Sequence, residues 1–269
     1  MALTAFQRTL IRLIARNRID GGESYVASGT ALNDLIGAPR LSHDIDLFHD
    51  TREAVHWALD ADSGTLREAG YRVDVEIDRD TFIEAVVSAA DERTRLQWVQ
   101  DSAYRFFPLV EHPNFGLTLH PFDLATNKVL ALVGWAEPRD WVDTIECDAR
   151  LQPLGYLAWA AAGKDPGLNP SFIVEESARS GRYTEVELAE LSFTGQPPSA
   201  AALSIEWRRI ISGARTVIAA LPGGHVGECV LNRSGNLLRI DADTLVDALH
   251  SGDVRFHAGS LRGAFPKLV

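Results

Sequence analysis

An α+β fold is predicted for this 269-residue chain: a small mixed sheet with helices, then a mainly helical region, then a small C-terminal hairpin and helix. Three observations predict it. Strands with two-residue alternation cluster between Tyr71 and Leu119, helical texture takes over at about Phe122, and Pro222-Gly223-Gly224 marks a return to alternation. The corresponding segments are 1–121, 122–221 and 222–269.

From Thr4 to Arg16, Phe6, Leu10, Ile11, Leu13 and Ile14 recur at helical spacing around Arg8 and Arg12. This is an amphipathic helix, not the unbroken apolar centre of a signal peptide. Tyr25-Val26-Ala27 is a short apolar strand that runs into the turn Ser28-Gly29-Thr30. Ala31 to Ile36 reads as a helix broken by Gly37 and Pro39, and a second strand carries Asp44-Ile45-Asp46-Leu47. A helix from Thr51 to Ala69 stops at Gly70. Tyr71, Val73, Val75 and Ile77 alternate with Arg72, Asp74, Glu76 and Asp78, the pattern of a half-buried strand. Strands at Phe82–Ala89, Arg95–Val99 and Leu117–Leu119 complete the sheet.

The helical region reads as Leu124–Val133, Trp141–Leu151 and Leu154–Ala162, then Pro170–Ser180, Val186–Leu191 and Ala200–Leu221. Breaks rich in Gly and Pro separate them at 163–170 and 194–199. In the tail, Val226–Leu231 and Leu237–Ile240 flank the turn Asn232–Asn236 and predict a β-hairpin. A short helix, Asp241 to His250, follows with Asp241 or Asp243 as its cap.

Composition narrows the function classes. Hydrophobic residues make up 46% and charged residues 23%, which is ordinary for a globular protein. No apolar run approaches the roughly 20 residues that span a bilayer, so no membrane partner is expected. A net charge of −11 argues against broad nonspecific nucleic-acid binding, while one basic patch could still receive an RNA acceptor. Thin candidates for such a patch are Arg93 with Arg95, Arg208 with Arg209, and Arg262 with Lys267. Cys147 and Cys229 lack metal-like spacing and read as core residues in a reduced, cytoplasmic setting. No histidine or cysteine pair builds a transition-metal site, and no Gly-X-Ser-X-Gly elbow supports a serine hydrolase.

The chemistry concentrates between Ser28 and Leu47. On a strand, residues i and i+2 share a face about 6–7 Å apart, so Asp44 and Asp46 point one way while Ile45 and Leu47 face the core. Two carboxylates on a rigid strand suit Mg²⁺, which binds through one or two carboxylates plus substrate phosphates. The backbone amides of Ser28-Gly29-Thr30, leading into a helix, suit the phosphates.

This segment resembles the signature of the polymerase-β-like nucleotidyltransferases, in which a small Gly-containing turn precedes a strand bearing Asp-X-Asp. More narrowly, Ser28-Gly29-Thr30-Ala31-Leu32 followed by Arg40-Leu41-Ser42-His43-Asp44-Ile45-Asp46-Leu47 is similar to the AbiEii/AbiGii toxin branch. Ser28 stands where that branch has a first glycine. Pro121 to Asp143 resembles the branch's later motif, a lysine-bearing helix followed by Arg-Asp-X-X-Asp. The specific motifs cover roughly residues 20–150 and say little about the tail.

The resemblance implies a nucleotidyltransferase fold and the transfer of NMP from an NTP to an acceptor, with Mg²⁺ or Mn²⁺. Ser28, Gly29, Thr30, Arg40, Ser42 and Lys128 would contact the nucleotide. Asp44 and Asp46 would hold metal, and Asp44, Asp46, Lys128 and Asp140 would form the catalytic set. Asp143, at i+3 from Asp140 on one helical face, would join the site or pair with Arg139. It further implies the toxin of a bacterial toxin–antitoxin or phage-defence pair, acting on tRNA or protein beside a cognate antitoxin. Related enzymes often carry a third carboxylate on a later strand. Here that position on Arg95–Val99 holds Gln97, which cannot take a proton. The role then falls to Asp140, to Asp101 just beyond the strand, or to nothing. Two other readings of the same residues are a small-molecule transferase of the antibiotic-modifying kind and a nucleotide-binding module without catalysis.

Overall fold

The alternating strands of the N-terminal half assemble into one seven-stranded sheet in the computed structural model, which describes residues 3–42 and 45–267. The chain divides into two units, one of residues up to Leu35, Leu41–Ala103 and Pro108–His120, the other of Ile36–Arg40, Tyr104–Phe107 and everything from Pro121.

In chain order the first part holds α1 (Ala5–Leu13), α2 (Ala15–Gly21), β1 (Ser24–Val26), α3 (Gly29–Ile36), β2 (Arg40–Leu41), β3 (Asp46–His49) and α4 (Arg52–Glu68). The meander β4 (Arg72–Arg79), β5 (Phe82–Ala89) and β6 (Glu92–Gln100) follows, then β7 (Tyr104–Arg105), β8 (Val110–His112) and β9 (Gly116–Thr118). The sheet order is β4-β5-β6-β3-β1-β9-β8. The β3/β6 and β1/β9 pairs are parallel and the others antiparallel.

Two-residue alternation sorts the strand side chains onto two faces. Ile83, Ala85, Val87, Leu96, Trp98 and Leu47 are buried on the face covered by α4. Asp62 of α4 accepts the Trp98 indole N–H at 3.0 Å, which identifies that face. The aliphatic side chains larger than alanine contribute about 1.5–3 kcal/mol each by leaving water. His49 is buried on the same side with its Nε2 unpartnered, and burial pushes its pKa down to about 4. Asp46, Phe48, Glu84, Gln97 and Val99 lie on the opposite face.

The predicted helix Thr4–Arg16 divides at Ile14. Thr4 closes a capping box with Gln7 at the start of α1, and α2 is a separate element that the periodicity missed. The break lets α2 pack on β9. Buried Arg18 donates to the carbonyls of Ile11 and Phe115 at 2.9 and 2.6 Å. Gly116 has φ +73, and a Cβ there would stand 2.2 Å from the Ala15 carbonyl oxygen, so this contact requires glycine.

The second unit contains α5 (Pro121–Trp135), α6 (Pro138–Arg150), α7 (Leu154–Ala161), α8 (Pro170–Ala178), α9 (Glu185–Ala189), β10 (Ser192–Phe193) and α10 (Ala200–Ala220). It closes with β11 (Glu228–Asn232), α11 (Ala242–His250), β12 (Val254–Ala258) and β13 (Ser260–Leu261). All of α7 is buried, as an all-round apolar helix must be, with α5, α8, α10 and β11 packed around it.

The tail forms the predicted hairpin only in part, and a later strand makes the longer pairing. The partner of β11 is β12, beyond α11, with Cys229 opposite His257 and Leu231 opposite Arg255. Leu237 contributes an isolated bridge to Leu231, and the Leu238 N–H donates to the Val230 carbonyl at 3.1 Å. Side chains from the end of α6 and from the segment itself add to these bonds. Buried Gln152 donates to the carbonyls of Val230 and Leu238, both at 2.9 Å, and Arg239 donates to those of Ala149 and Arg150. Segment 237–240 therefore keeps only a short antiparallel pairing with β11 and also binds the end of α6. The Asn232–Asn236 turn and the Asp241 cap of α11 match the expectation.

Candidate active site

In the first unit, Ser28 caps α3. Its carbonyl accepts from Leu32 N and its hydroxyl from Thr30 N, at 3.2 and 3.3 Å. Ser28, Gly29 and Thr30 are buried at the positive end of this helix, the place where backbone geometry favours an anion. The antiparallel register of β1 and β3 pairs Val26 with Leu47. One step further brings Ala27 opposite Asp46, so the turn and the acidic strand start share an edge of the sheet.

Asp46 opens β3 half-buried, with Ile45 and Leu47 buried on the other side, as the alternation predicts. Ser42 is buried just ahead of it. His43 and Asp44 lie outside the described residues, so the second carboxylate of the proposed pair is known only from the sequence. The donor chemistry fits a hard cation, since Asp46 and its sequence partner offer only oxygen. Among the described residues no group of three or more His, Cys, Asp or Glu forms a metal cage. Mg²⁺ needs none when phosphates complete its shell.

Gln97 stands beside Asp46 in the parallel β3/β6 register. Its other neighbour is Glu84 on β5, and the Gln97 Nε2 donates to Glu84 Oε2 at 2.6 Å. Sequence reading missed Glu84. The available signal was a lone acid between Ile83 and Ala85, both buried, in an otherwise apolar strand. Asp101 is at the other end: its N–H donates to the His49 carbonyl, about 13 Å of strand from the level of Asp46.

In the second unit, Lys128 of α5 donates to Asp140 Oδ1 of α6 at 2.7 Å and lies 3.4 Å from Asp143 Oδ2. Arg40 forms a two-pronged contact with Asp143 at 2.6 and 2.7 Å. Pro138 begins α6 at its first turn, and the i, i+3 spacing sets both aspartates toward α5. The result is a neutral cluster of two cations and two carboxylates, all buried except for part of Lys128. Asp143 thus pairs with Arg40 and Lys128. Nearby, burial and then the Asp143 carboxylate push the Cys147 thiol well above its ordinary value, leaving an inert core thiol.

A second buried pair fixes the start of α5. Asp123 accepts from the backbone N–H groups of Phe106 and Phe107 at 2.9 and 3.0 Å and pairs with Lys164 at 2.9 Å. Ser28, Gly29, Thr30, Ser42 and Asp46 thus belong to the first unit; Arg40, Lys128 and Asp140 belong to the second.

No protein-family model and no curated protein matches this sequence. Two solved structures share its fold. One is a candidate nucleotidyltransferase from H. pylori, 16% identical, with a TM-score of 0.52 over 81% of this chain and 97% of that one. The other is MenT4, a nucleotidyltransferase toxin from Mycobacterium tuberculosis H37Rv, also 16% identical, with a TM-score of 0.55 over 81% of this chain and 83% of that one. The chain therefore shares the fold of these two structures, a mixed sheet with helices.

Proposed function

We propose that this protein is an NTP-dependent nucleotidyltransferase that moves NMP to a hydroxyl acceptor. One observation carries the reading: the capped turn Ser28–Thr30 and the carboxylate of Asp46 share one edge of a nucleotidyltransferase-type sheet. In the reaction an acceptor oxygen bonds to the α-phosphorus, the bond from that phosphorus to the bridging oxygen breaks, and pyrophosphate leaves. The acceptor's proton passes to a base or to water.

Ser28, Gly29, Thr30 and Ser42 are assigned to the nucleotide, and Asp46 with Asp44 to a divalent ion, Mg²⁺ or Mn²⁺. Such an ion, when bound, stabilises charge on the phosphates and the leaving group. Lys128 is assigned to the phosphates. The Lys128–Asp140 contact supports Asp140 as the residue that holds this ammonium in place. Arg40, spent on Asp143, supports the cluster rather than reaching the nucleotide itself.

The finer reading is a toxin with a cognate antitoxin, acting on tRNA or protein. Its support is the sequence resemblance together with the fold shared with a nucleotidyltransferase toxin. The test is incubation with each α-labelled NTP, Mg²⁺ and either total tRNA or cell lysate. Labelled product that disappears in D46A is expected. NTP binding with no transfer to any acceptor would replace this reading with a nucleotide-binding module.

A further inference from the structure

Gln97 occupies the place on β6 where a third carboxylate is expected, and the structure supplies a carboxylate one strand away. The parallel register sets Gln97 against Asp46, and the antiparallel register sets it against Glu84. Aligned residues on neighbouring strands point to the same face, so Asp46, Gln97 and Glu84 form one row across β3, β6 and β5. Strands are spaced about 4.8 Å apart, so Glu84 stands some two strand spacings from Asp46, with the Gln97 side chain between them.

The contact between them is directional. A carboxylate only accepts, so Gln97 must turn its N–H toward Glu84, as the 2.6 Å Nε2 to Oε2 distance records. Its carbonyl oxygen is thereby turned away from Glu84 and left to accept from a hydroxyl. A hydrogen bond to an ionised partner is roughly twice as strong as a neutral one, and linked bonds polarise one another. Glu84 is largely buried, and the exposed Arg95, at 3.8 Å, is its ion-pair partner. A carboxylate on this face, within an apolar strand, calls for a role that packing does not supply.

Resting on the nucleotidyltransferase reading above, we infer that Glu84 is a positioning residue for the acceptor hydroxyl, acting through the Gln97 amide. The pair divides the work of a single third carboxylate: Glu84 carries the charge and Gln97 makes the contact. Asp101 cannot take this part, being at the far end of β6.

The experiment compares wild type, D46A, E84Q, Q97E and the swap E84Q/Q97E. Transfer from α-labelled NTP to total tRNA and to lysate is measured, with NTP affinity by calorimetry and the Gln97 side-chain amide followed by NMR. E84Q keeps a neutral hydrogen bond, so it is expected to fold and to bind NTP within about twofold of wild type, while kcat falls roughly a hundredfold. Its Gln97 amide resonance should move upfield as the charge-assisted bond is lost. The swap, which restores one amide and one carboxylate in reversed order, should recover most of kcat. A purely structural Glu84 would give E84Q with wild-type kcat, and that result overturns the assignment, as does a swap no better than E84Q. If wild type transfers and D46A does not, either result rejects Glu84 alone. If wild type transfers nothing from any NTP, the nucleotidyltransferase reading fails and the assignment falls with it.

Discussion

On the face of the first unit's sheet away from α4, Asp46 and Glu84 are set in one row by strand register, with the Gln97 amide between them. In the second unit, Arg40, Lys128, Asp140 and Asp143 form a closed set in which each charge meets an opposite one. The difference shows two ways of keeping a carboxylate in a fold. Strand register sets it in a row of aligned positions, and for Glu84 a neutral amide at 2.6 Å is a closer partner than the Arg95 cation at 3.8 Å. Ion pairing cancels the charge, which fixes geometry at the expense of reactivity. Glu84 illustrates the first kind and Asp143 the second.

The sharpest way to break this contrast is at Asp46. D46A should lower nucleotidyl transfer by at least about a thousandfold, some 4 kcal/mol in the barrier, with little change in denaturant midpoint. A variant that unfolds earlier would place Asp46 with the structural charges.

Asp143→Ala should do the reverse. It strips Arg40 of its two-pronged partner and leaves both cations under-compensated. A loss of about 3–5 kcal/mol in urea unfolding is expected, the penalty for breaking a buried pair from one side. A change under 1 kcal/mol would mean that the ion pairs do not hold Arg40 and α5 to α6.

A third test uses pH. The pKa of His49 is lowered from its ordinary 6.5 to about 4 in the fold, chiefly by burial. A lowered pKa means stability that is complete above the unfolded value and lost as pH falls toward the folded one. Wild type should therefore lose stability between pH 6.5 and 4, by roughly 3 kcal/mol from this group. His49→Leu should flatten that limb between pH 7 and 5 in thermal unfolding. An unchanged slope would show that another group is responsible.

The smallest effect is local. Thr51 caps α4 by accepting from Ala54 N at 3.2 Å, and Thr51→Ala should cost about 1 kcal/mol with transfer unchanged. A fall in activity would indicate that α4 contributes to the opposite face and not only to the one it covers.

Much of this was readable in the sequence where local chemistry decides. The alternation of Ile45 and Leu47 against Asp46, the Thr51 to Gly70 helix and the Asp241 cap depend on neighbours a few residues away. The same holds for Pro138 at the start of α6 and for Asp140 and Asp143 on one helical face. What could not be read depends on partners distant in sequence. Residues 237–240 have strand-like composition, yet they pair with β11 only briefly and bind the end of α6, while β12, beyond α11, makes the longer pairing. Helix α2 depends on Phe115 and Gly116, about a hundred residues away.

For the candidate site, the sequence by itself determined the oxygen-donor chemistry: a capped turn, Asp-X-Asp, and a lysine helix followed by two aspartates. Residue type and short spacing carry that information. Only the tertiary structure decided which distant groups these acids meet. It joined Arg40 to Asp143 across 103 residues and placed Glu84 beside Gln97. Pairing of that kind arises from strand register and helix packing, which bring together groups that no local pattern links.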